Sequence, residues 1–429
     1  MVSKFLKGGF GLKRVFVLVL ALGILMAASL TGFAAQYDLG GATVNYVTFV
    51  THVFDDFPEI QERMAMAEEK FNCKINIVRS SWGQEEADQM KRLLSGESQY
   101  DIWRVETANI YRLAAQNILY PLDQVLSEDY FNSLPDLSKE IIEATKYKGH
   151  IYGMGASDYS TAIDNMYFIA YNKDMFDEAG LPDPYEQYKA GTWDWNAFEI
   201  ALDTLTADLD GDGEIDRWGI DIITTEALVI SNGGNFTTVD ERGKVIYTGD
   251  SDRVIEALEK KTEWENKGYT RGWGDFFIQG ISGMFDAPIW QTRDKADVID
   301  FEWGLVPYPK GPGSPDYAYP LRVFNLYALP VNSAAPEALV ALHDFIWPPE
   351  TAYDRYLDEL MSQYPTREMY GVIMDAAENW TNDDILLYLE YLDIWSELDK
   401  IYSGEVNAAS HMSAIRPQVQ ARLDELFNN

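Results

Sequence analysis

The sequence contains few residues of the kinds that disulfide bonding, metal catalysis and nucleic-acid binding require. Its single cysteine, Cys73, excludes an internal disulfide, and four histidines occur in 429 residues. No histidine lies in an H-E-x-x-H pattern, and neither a G-x-S-x-G elbow nor a phosphate-binding P-loop is present, so we do not expect an enzyme. Basic residues number 34 against 69 acidic ones, a formal charge of −35 at pH 7. Because so acidic a chain repels nucleic acid at long range, we expect no nucleic-acid partner.

The first 35 residues have the pattern of a secretory signal peptide. A basic start is followed by the apolar run Val15–Leu30 and then by small residues suited to cleavage at Ala34 or Ala35. This run is short for a membrane-spanning helix, which needs about 20 residues, although an uncleaved anchor is the alternative. No cysteine lies at the cleavage point, so no lipid can be attached there. We therefore expect an exported protein, periplasmic or associated with the cell surface.

After this segment, strand and helix patterns alternate along the chain. Stretches rich in β-branched and aromatic residues predict strands, and apolar residues at helical spacing predict helices. The predicted order is strand 42–50, helix 58–71, strand 74–80, helix 83–98, strand 100–105 and helix 109–119. Such alternation is typical of a parallel sheet covered by helices, in which ligands bind beyond the carboxyl ends of the strands.

Six phrases along the chain resemble one protein family. Two of them are "KYKGHIYGMGAS" and "GISGMFDAPIW", and the six occupy residues 100–123, 146–157, 168–206, 280–290, 301–313 and 327–346. Their order is that of the extracellular solute-binding proteins of family 1, the maltose-binding-protein-like components of ABC importers. The resemblance covers most of residues 40–425.

The resemblance implies an α/β fold of the periplasmic-binding-protein-like (type II) class. Two lobes, each a mainly parallel sheet flanked by helices, are expected to enclose a ligand cleft between them. The expected boundaries are 1–35 for the signal peptide, 36–157 and 319–360 for lobe 1, and 158–318 and 361–429 for lobe 2. The implied function is an extracytoplasmic substrate-binding protein whose lobes close on the ligand and deliver it to membrane permease subunits.

The aromatic content favours carbohydrate as the ligand. The chain has 12 Trp, 26 Tyr and 20 Phe, and sugars need flat rings against their C–H faces and polar side chains for their hydroxyls. We expect a neutral mono- or oligosaccharide, no required cofactor and a monomeric protein. Two alternatives remain open: a secreted carbohydrate-active enzyme of the glycoside hydrolase kind, and a calcium-stabilised surface interaction module.

Candidate ligand-binding residues follow predicted strands or lie at the crossings between lobes that the resemblance implies. Aromatic candidates would stack on sugar rings, and charged or amide candidates would bond hydroxyls. For a single tryptophan, core packing is the alternative, and for an acidic residue it is a helix cap or a solvated turn. The candidates are Trp82, Trp103, Arg104, Glu106, Asp158, Tyr159, Trp273, Asp275, Trp290, Arg293, Arg322 and Asn325.

The segment "ADLDGDGEIDRWGI", residues 207–220, has acidic residues at alternate positions around two glycines. This spacing matches much of the EF-hand calcium pattern, but the position that should hold a bidentate glutamate is Gly219. A structural Ca²⁺ site is one interpretation, and a solvated acidic turn is the other. The candidate metal ligands are Asp208, Asp210, Asp212, Glu214 and Asp216.

Overall fold

The computed structural model describes residues 37–154, 165–321, 325–349, 351, 363–382 and 394–428. The expected signal peptide and three ligand-binding candidates, Asp158, Tyr159 and Arg322, lie outside these ranges. Within them, no helix has both the length and the apolar character that crossing a bilayer requires.

Strands and helices follow one another throughout the described chain. The strands are β1 Thr43–Thr48, β2 Lys74–Arg79, β3 Asp101–Glu106, β4 Gly153–Met154, β5 Tyr167–Asn172, β6 Trp218–Ile220, β7 Thr237–Val239, β8 Val245–Tyr247, β9 Ser282–Pro288, β10 Trp303–Val306, β11 Tyr319–Leu321, β12 Asn325–Ala328 and β13 Trp380–Asn382. The helices are α1 His52–Asp55, α2 Pro58–Lys70, α3 Glu85–Ser95, α4 Thr107–Ala115, α5 Glu128–Ser133, α6 Asp136–Ala144, α7 Lys173–Glu178, α8 Pro184–Ala190, α9 Trp195–Leu205, α10 Thr225–Ser231, α11 Asp252–Asn266, α12 Ile289–Lys295, α13 Pro336–Ile346, α14 Arg367–Asn379, α15 Ile394–Tyr402 and α16 Ala408–Leu423.

The first three strands and the helices α2, α3 and α4 confirm the order predicted from the sequence. Helix α2 begins at Pro58, whose fixed φ suits the first helical position. Helix α3 ends at Gly96, whose φ of 77° lies in the left-handed region that stops a helix. Cys73 is buried just ahead of β2. Local sequence signals therefore determine this part of the chain.

The chain folds into two compact units. The first consists of the described residues up to Trp103 together with Asn332–Pro348. Its strands run parallel in the order β2-β1-β3, and α13 packs on α2. The core contains a cluster of rings, in which Tyr46 lies 5.1 Å from Phe54 and 5.5 Å from Trp347 between centroids.

The second unit consists of Arg104–Val331 and the described residues from Pro349 onward. Its main sheet has the order β10-β5-β9-β6. Strands β6 and β9 are parallel, whereas β5 is antiparallel to both β9 and β10. This sheet is therefore mixed rather than mainly parallel as expected, because β5 is inserted between two strands that point the same way. The boundaries between the two units fall at other residues than the boundaries expected for the two lobes. The lobe boundaries stay a prediction.

Candidate ligand-binding site

Three strands of the second unit's main sheet end at one edge. Strands β6 and β9 are parallel, and β10 points the same way as β9 because β5 lies antiparallel between them. Their carboxyl ends lead directly into Asp221, Ile289 and Pro307. Ligands of α/β sheets bind beyond the carboxyl ends of strands. This edge, here called the carboxyl edge, is the candidate site of the second unit.

Trp290 lies in the first turn of α12, directly after β9. The residue is 40% exposed, so part of the indole is open to a ligand. The helix is fixed beneath it by Thr292, whose hydroxyl donates to Ile289 O at 3.0 Å and lies 2.7 Å from Tyr364 Oη. Arg293, a second candidate, has a largely covered side chain whose Nε donates to the neighbouring carboxylate of Asp294. The helix therefore presents one accessible ring beside one guanidinium that is already engaged.

Trp273 and Asp275 lie on the loop 271–277, here called the tryptophan loop. The backbone N of Gly272 donates to Asp221 O at 2.7 Å, which places the loop at the end of β6. Trp273 is 74% exposed. The Asp275 carboxylate contacts Lys295 Nζ in the last turn of α12. Two exposed indoles, Trp273 and Trp290, are thus presented by neighbouring elements of one edge.

Two buried carboxylates lie at the carboxyl edge, and sequence reasoning missed both. Asp286 Oδ2 accepts from Thr224 N at 2.5 Å and from Tyr308 Oη, while Oδ1 has no hydrogen-bond partner in the described part of the chain. Asp221 Oδ2 accepts from Phe277 N at 3.2 Å. Burial is the main cause that raises the pKa of each carboxyl to about 7. Perturbed carboxyls of this kind concentrate at functional sites.

A sequence signal for these two residues existed. Asp286 interrupts the otherwise apolar strand β9, and Asp221 comes directly after the apolar β6. A charged residue within or next to a buried strand departs from the usual burial preferences, and it therefore marks a position with a special role.

Three further candidates meet elsewhere in the second unit. Arg104 and Glu106 are two residues apart in β3 and so point to the same face, with Arg104 Nη2 3.6 Å from Glu106 Oε1. The same guanidinium donates to Asn325 Oδ1 at the start of β12. Arg104 and Asn325 are buried, and Glu106 is partly exposed. The structure therefore brings together candidate residues more than two hundred positions apart, and their contact with a ligand stays a prediction.

The two candidates of the first unit differ in exposure. Trp82 follows β2 and is 82% exposed, so most of its surface is accessible. Trp103 is fully buried, and its Nε1 donates to Asp101 Oδ2 at 3.4 Å. Core packing, the alternative considered for each tryptophan, describes Trp103 in this structure, and its role as a ligand-binding residue stays a prediction.

The acidic segment forms a compact exposed loop. Carboxylate oxygens of Asp208, Asp210 and Asp216 lie within 4.8 Å of one another, and this group does not include Asp212 or Glu214. Backbone N–H groups bond these carboxylates, and those of Gly213 and Gly211 hold the pKa of Asp208 below its usual value.

A bidentate glutamate is sterically excluded from the twelfth position of this loop. A Cβ at Gly219 would lie 2.7 Å from the backbone oxygen of Leu202. Three carboxylates remain, so water and backbone oxygens would have to complete the six to eight ligands that Ca²⁺ takes. The donor chemistry suits a weak calcium site, and calcium binding stays a prediction.

A large acidic cavity also lies in the second unit, with a volume of about 1210 Å³. Its walls come from α9, α11, α16 and the loop after β10, with acidic side chains that include Glu199, Glu256 and Glu259. None of the candidate ligand-binding residues that the structure describes lines this cavity. Size alone therefore does not identify the candidate site, which is defined by accessible rings and polar groups at the carboxyl edge.

Solved structures with the same fold are numerous, and three illustrate the range of ligands. The ABC substrate-binding protein Lmo0181 from Listeria monocytogenes, in complex with cycloalternan, is 16% identical, with a TM-score of 0.66 and coverage of 90% of this chain and 98% of that one. The cyclic α-maltosyl-1,6-maltose binding protein from Arthrobacter globiformis is 18% identical, with a TM-score of 0.67 and coverage of 90% and 100%. UgpB from Mycobacterium tuberculosis, in complex with glycerophosphocholine, is 16% identical, with a TM-score of 0.65 and coverage of 90% and 99%. These similarities confirm the expected periplasmic-binding-protein-like (type II) fold class.

The family comparison is more direct than the structural one. No match to the chain is found among curated proteins. Residues 55–347, more than half of the chain, match the family described as bacterial extracellular solute-binding protein. This range includes all six phrases that carry the resemblance seen in the sequence. The chain therefore belongs to the bacterial extracellular solute-binding proteins.

Proposed function

We propose that the protein is the extracytoplasmic substrate-binding component of an ABC importer and that its ligand is a neutral mono- or oligosaccharide. The observation that carries this proposal is the pair of exposed indoles, Trp273 and Trp290, at one edge of the second unit's sheet. An indole face packs against the C–H face of a sugar ring, and neighbouring carboxylates and amides bond its hydroxyls.

The charges of the candidate residues support a neutral ligand over an anionic one. Of the cationic candidates that the structure describes, Arg104 is engaged with Glu106 and Asn325, and Arg293 with Asp294. The chain as a whole is strongly acidic and repels anions. Of the three similar structures, one is in complex with cycloalternan, one is a cyclic α-maltosyl-1,6-maltose binding protein, and one is in complex with glycerophosphocholine. The zwitterionic glycerophosphocholine is therefore the competing ligand that the binding experiment should include.

Isothermal titration calorimetry against maltotriose, maltotetraose, cycloalternan and glycerophosphocholine tests the ligand class. We expect one-to-one binding of at least one of the saccharides and none of glycerophosphocholine. The reverse pattern would contradict the proposal. Mass spectrometry of the recovered saccharide decides between binding and hydrolysis, since a binding protein returns it intact and a glycoside hydrolase shortens or opens it.

The remaining partners follow from the same role. The exported protein acts as a monomer that delivers its ligand to permease subunits in the membrane, after a signal peptide is removed at Ala34 or Ala35. The N-terminal sequence of the secreted chain tests cleavage. Its mass in solution, measured by light scattering, tests the monomeric state. A retained N-terminus would favour the anchored form, and a doubled mass would contradict the monomer.

A further inference from the structure

The tryptophan loop is attached at both ends to a single residue, Asp221. At its start, Gly272 N donates to the backbone oxygen of Asp221 at 2.7 Å. At its end, Phe277 N donates to Asp221 Oδ2 at 3.2 Å. The backbone bond forms whatever the side chain is, whereas the second bond depends on the carboxyl group. Asp221 therefore closes the loop with one fixed bond and one that its side chain controls.

The rest of the loop is packed so that the exposed indole has a defined position. The guanidinium carbon of Arg271 lies 4.6 Å from the centre of the Trp218 ring and 4.7 Å from that of Phe276. Phe277 is buried and stacks on Phe285. A Cβ at Gly274 would meet the Phe276 ring at 2.4 Å, so a larger residue after Trp273 would displace that ring. These contacts present Trp273 on an ordered platform, as an aromatic binding surface requires.

The surroundings of the Asp221 carboxyl are poor in compensating charge. Lys295 on α12 attracts its charged form, Asp275 on the loop repels it, and β9 contributes the hydroxyl of Ser282. Lys295 forms its ion pair with Asp275, and within the described residues no cation forms one with Asp221. Since Asp221 is 1% exposed, burial dominates and raises the pKa of the carboxyl to about 7. The group therefore changes charge close to neutral pH.

We propose that Asp221 is a positioning residue that couples the ligand affinity of the tryptophan loop to pH. The ionised carboxylate accepts the Phe277 N–H more strongly than the neutral acid does, because a charge-assisted hydrogen bond is about twice as strong as a neutral one. Deprotonation therefore tightens the loop and the placement of Trp273, and protonation loosens both. The effect on affinity rests on the proposed sugar-binding function, whereas the effect on the loop does not.

Hydrogen exchange on the ligand-free, full-length protein tests the loop directly. Protection of the Phe277 amide, corrected for the intrinsic exchange rate, is compared at about pH 6 and about pH 8, on either side of the titration. We expect protection to be about fivefold greater at the higher pH in the wild-type protein. In Asp221→Asn the side-chain oxygen still accepts but carries no charge, so protection should be the same at both pH values. Asp240→Asn, which alters an exposed hairpin turn, is the matched control and should behave as wild type.

Calorimetry with maltotetraose at the same two pH values tests the affinity. The dissociation constant of the wild-type protein should fall about fivefold at the higher pH, and that of Asp221→Asn should not change. If no variant gives a binding signal with maltotetraose, the result counts against the proposed function for this sugar. The hydrogen-exchange experiment would still decide the role of Asp221. If the protection of the Phe277 amide still depends on pH in Asp221→Asn, the inference is overturned. If the pH dependence is lost only in Asp286→Asn, the group that titrates is Asp286 and not Asp221.

Discussion

Buried carboxylates are held differently in the two units. In the first unit, Asp101 has no exposed surface and accepts two bonds from the Arg92 guanidinium, at 2.6 and 2.8 Å. In the second unit, Asp221 and Asp286 are as deeply buried, yet among the described residues neither forms an ion pair. A buried ion pair is typical of a structural framework, whereas a buried carboxyl without a cation is typical of a functional site. The difference supports the proposal that the carboxyl edge binds the ligand, at a cost to stability.

Breaking the paired side of this comparison should have the largest effect. Arg92→Ala leaves the Asp101 carboxylate buried without its cation, so we expect a loss of about 3–5 kcal/mol in the free energy of unfolding, measured by urea denaturation. Arg79→Ala is the matched control, because it removes an exposed ion pair with Asp55 and should cost less than about 1 kcal/mol. Equal small losses in the two variants would show that Asp101 does not depend on its ion pair.

Asp286, a buried carboxyl without an ion pair among the described residues, should make the free energy of unfolding depend on pH. The pKa of Asp286 is raised from its ordinary value of 3.8 to about 7 in the folded protein, so the folded state keeps a proton that the unfolded chain releases. Its contribution is complete below about pH 4 and is lost as the pH rises through about 7, a change of up to about 4 kcal/mol. Urea denaturation from acid to neutral pH should show this loss in the wild-type protein.

Asp286→Asn isolates that contribution from all other carboxyls. The asparagine does not titrate, so the difference between variant and wild type should change in favour of the variant as the pH rises towards 7. A difference independent of pH would mean that Asp286 has the same pKa in the folded and the unfolded chain, so that burial does not raise it.

The exposed indole of Trp290 allows the proposed role of the carboxyl edge to be tested by ligand affinity. Trp290→Ala removes a partly exposed indole from the carboxyl edge and should weaken saccharide binding by about 1–3 kcal/mol, measured by calorimetry with the saccharide that binds wild type. The free energy of unfolding should change little. Leu94→Ala, at an exposed position of α3 in the first unit, is the control and should leave the affinity unchanged. An unchanged affinity in Trp290→Ala would remove this residue from the site.

How much could be predicted from the sequence depended on whether the signal was local. The strands β1, β2 and β3, with their helices, follow from patterns of six to sixteen residues, and turn signals such as Gly96 mark where they end. The antiparallel insertion of β5 could not be predicted in this way, because strand direction depends on the path of the chain and not on local composition.

The same limit applies to the candidate site. Arg104 and Asn325 were both named as candidates, but their contact was not predicted, since residues so far apart in sequence share no local pattern. Core packing was the stated alternative for each tryptophan, but the sequence could not show that it applies to Trp103, because one tryptophan looks the same in a core and at a binding surface. Asp221 and Asp286 were passed over because acidic residues are abundant in this chain, and their positions within or next to apolar strands were not considered.

The exposed acidic loop should give the smallest effect, and it completes the comparison with a third way of holding carboxylates. Backbone N–H groups already bond Asp208, Asp210 and Asp216 in this loop, so calcium would add to a fold that is formed without it. We expect millimolar Ca²⁺ to raise the free energy of unfolding by about 1 kcal/mol, or about 1–2 °C in the thermal midpoint. The combined variant D208N/D210N/D216N should abolish this rise, whereas D240N should keep it. Ca²⁺ also screens the charge of an acidic chain. An equal rise in the combined variant, or an equal effect of sodium at matched ionic strength, would therefore mean that the loop holds no calcium. Its carboxylates would then serve only to shape the turn.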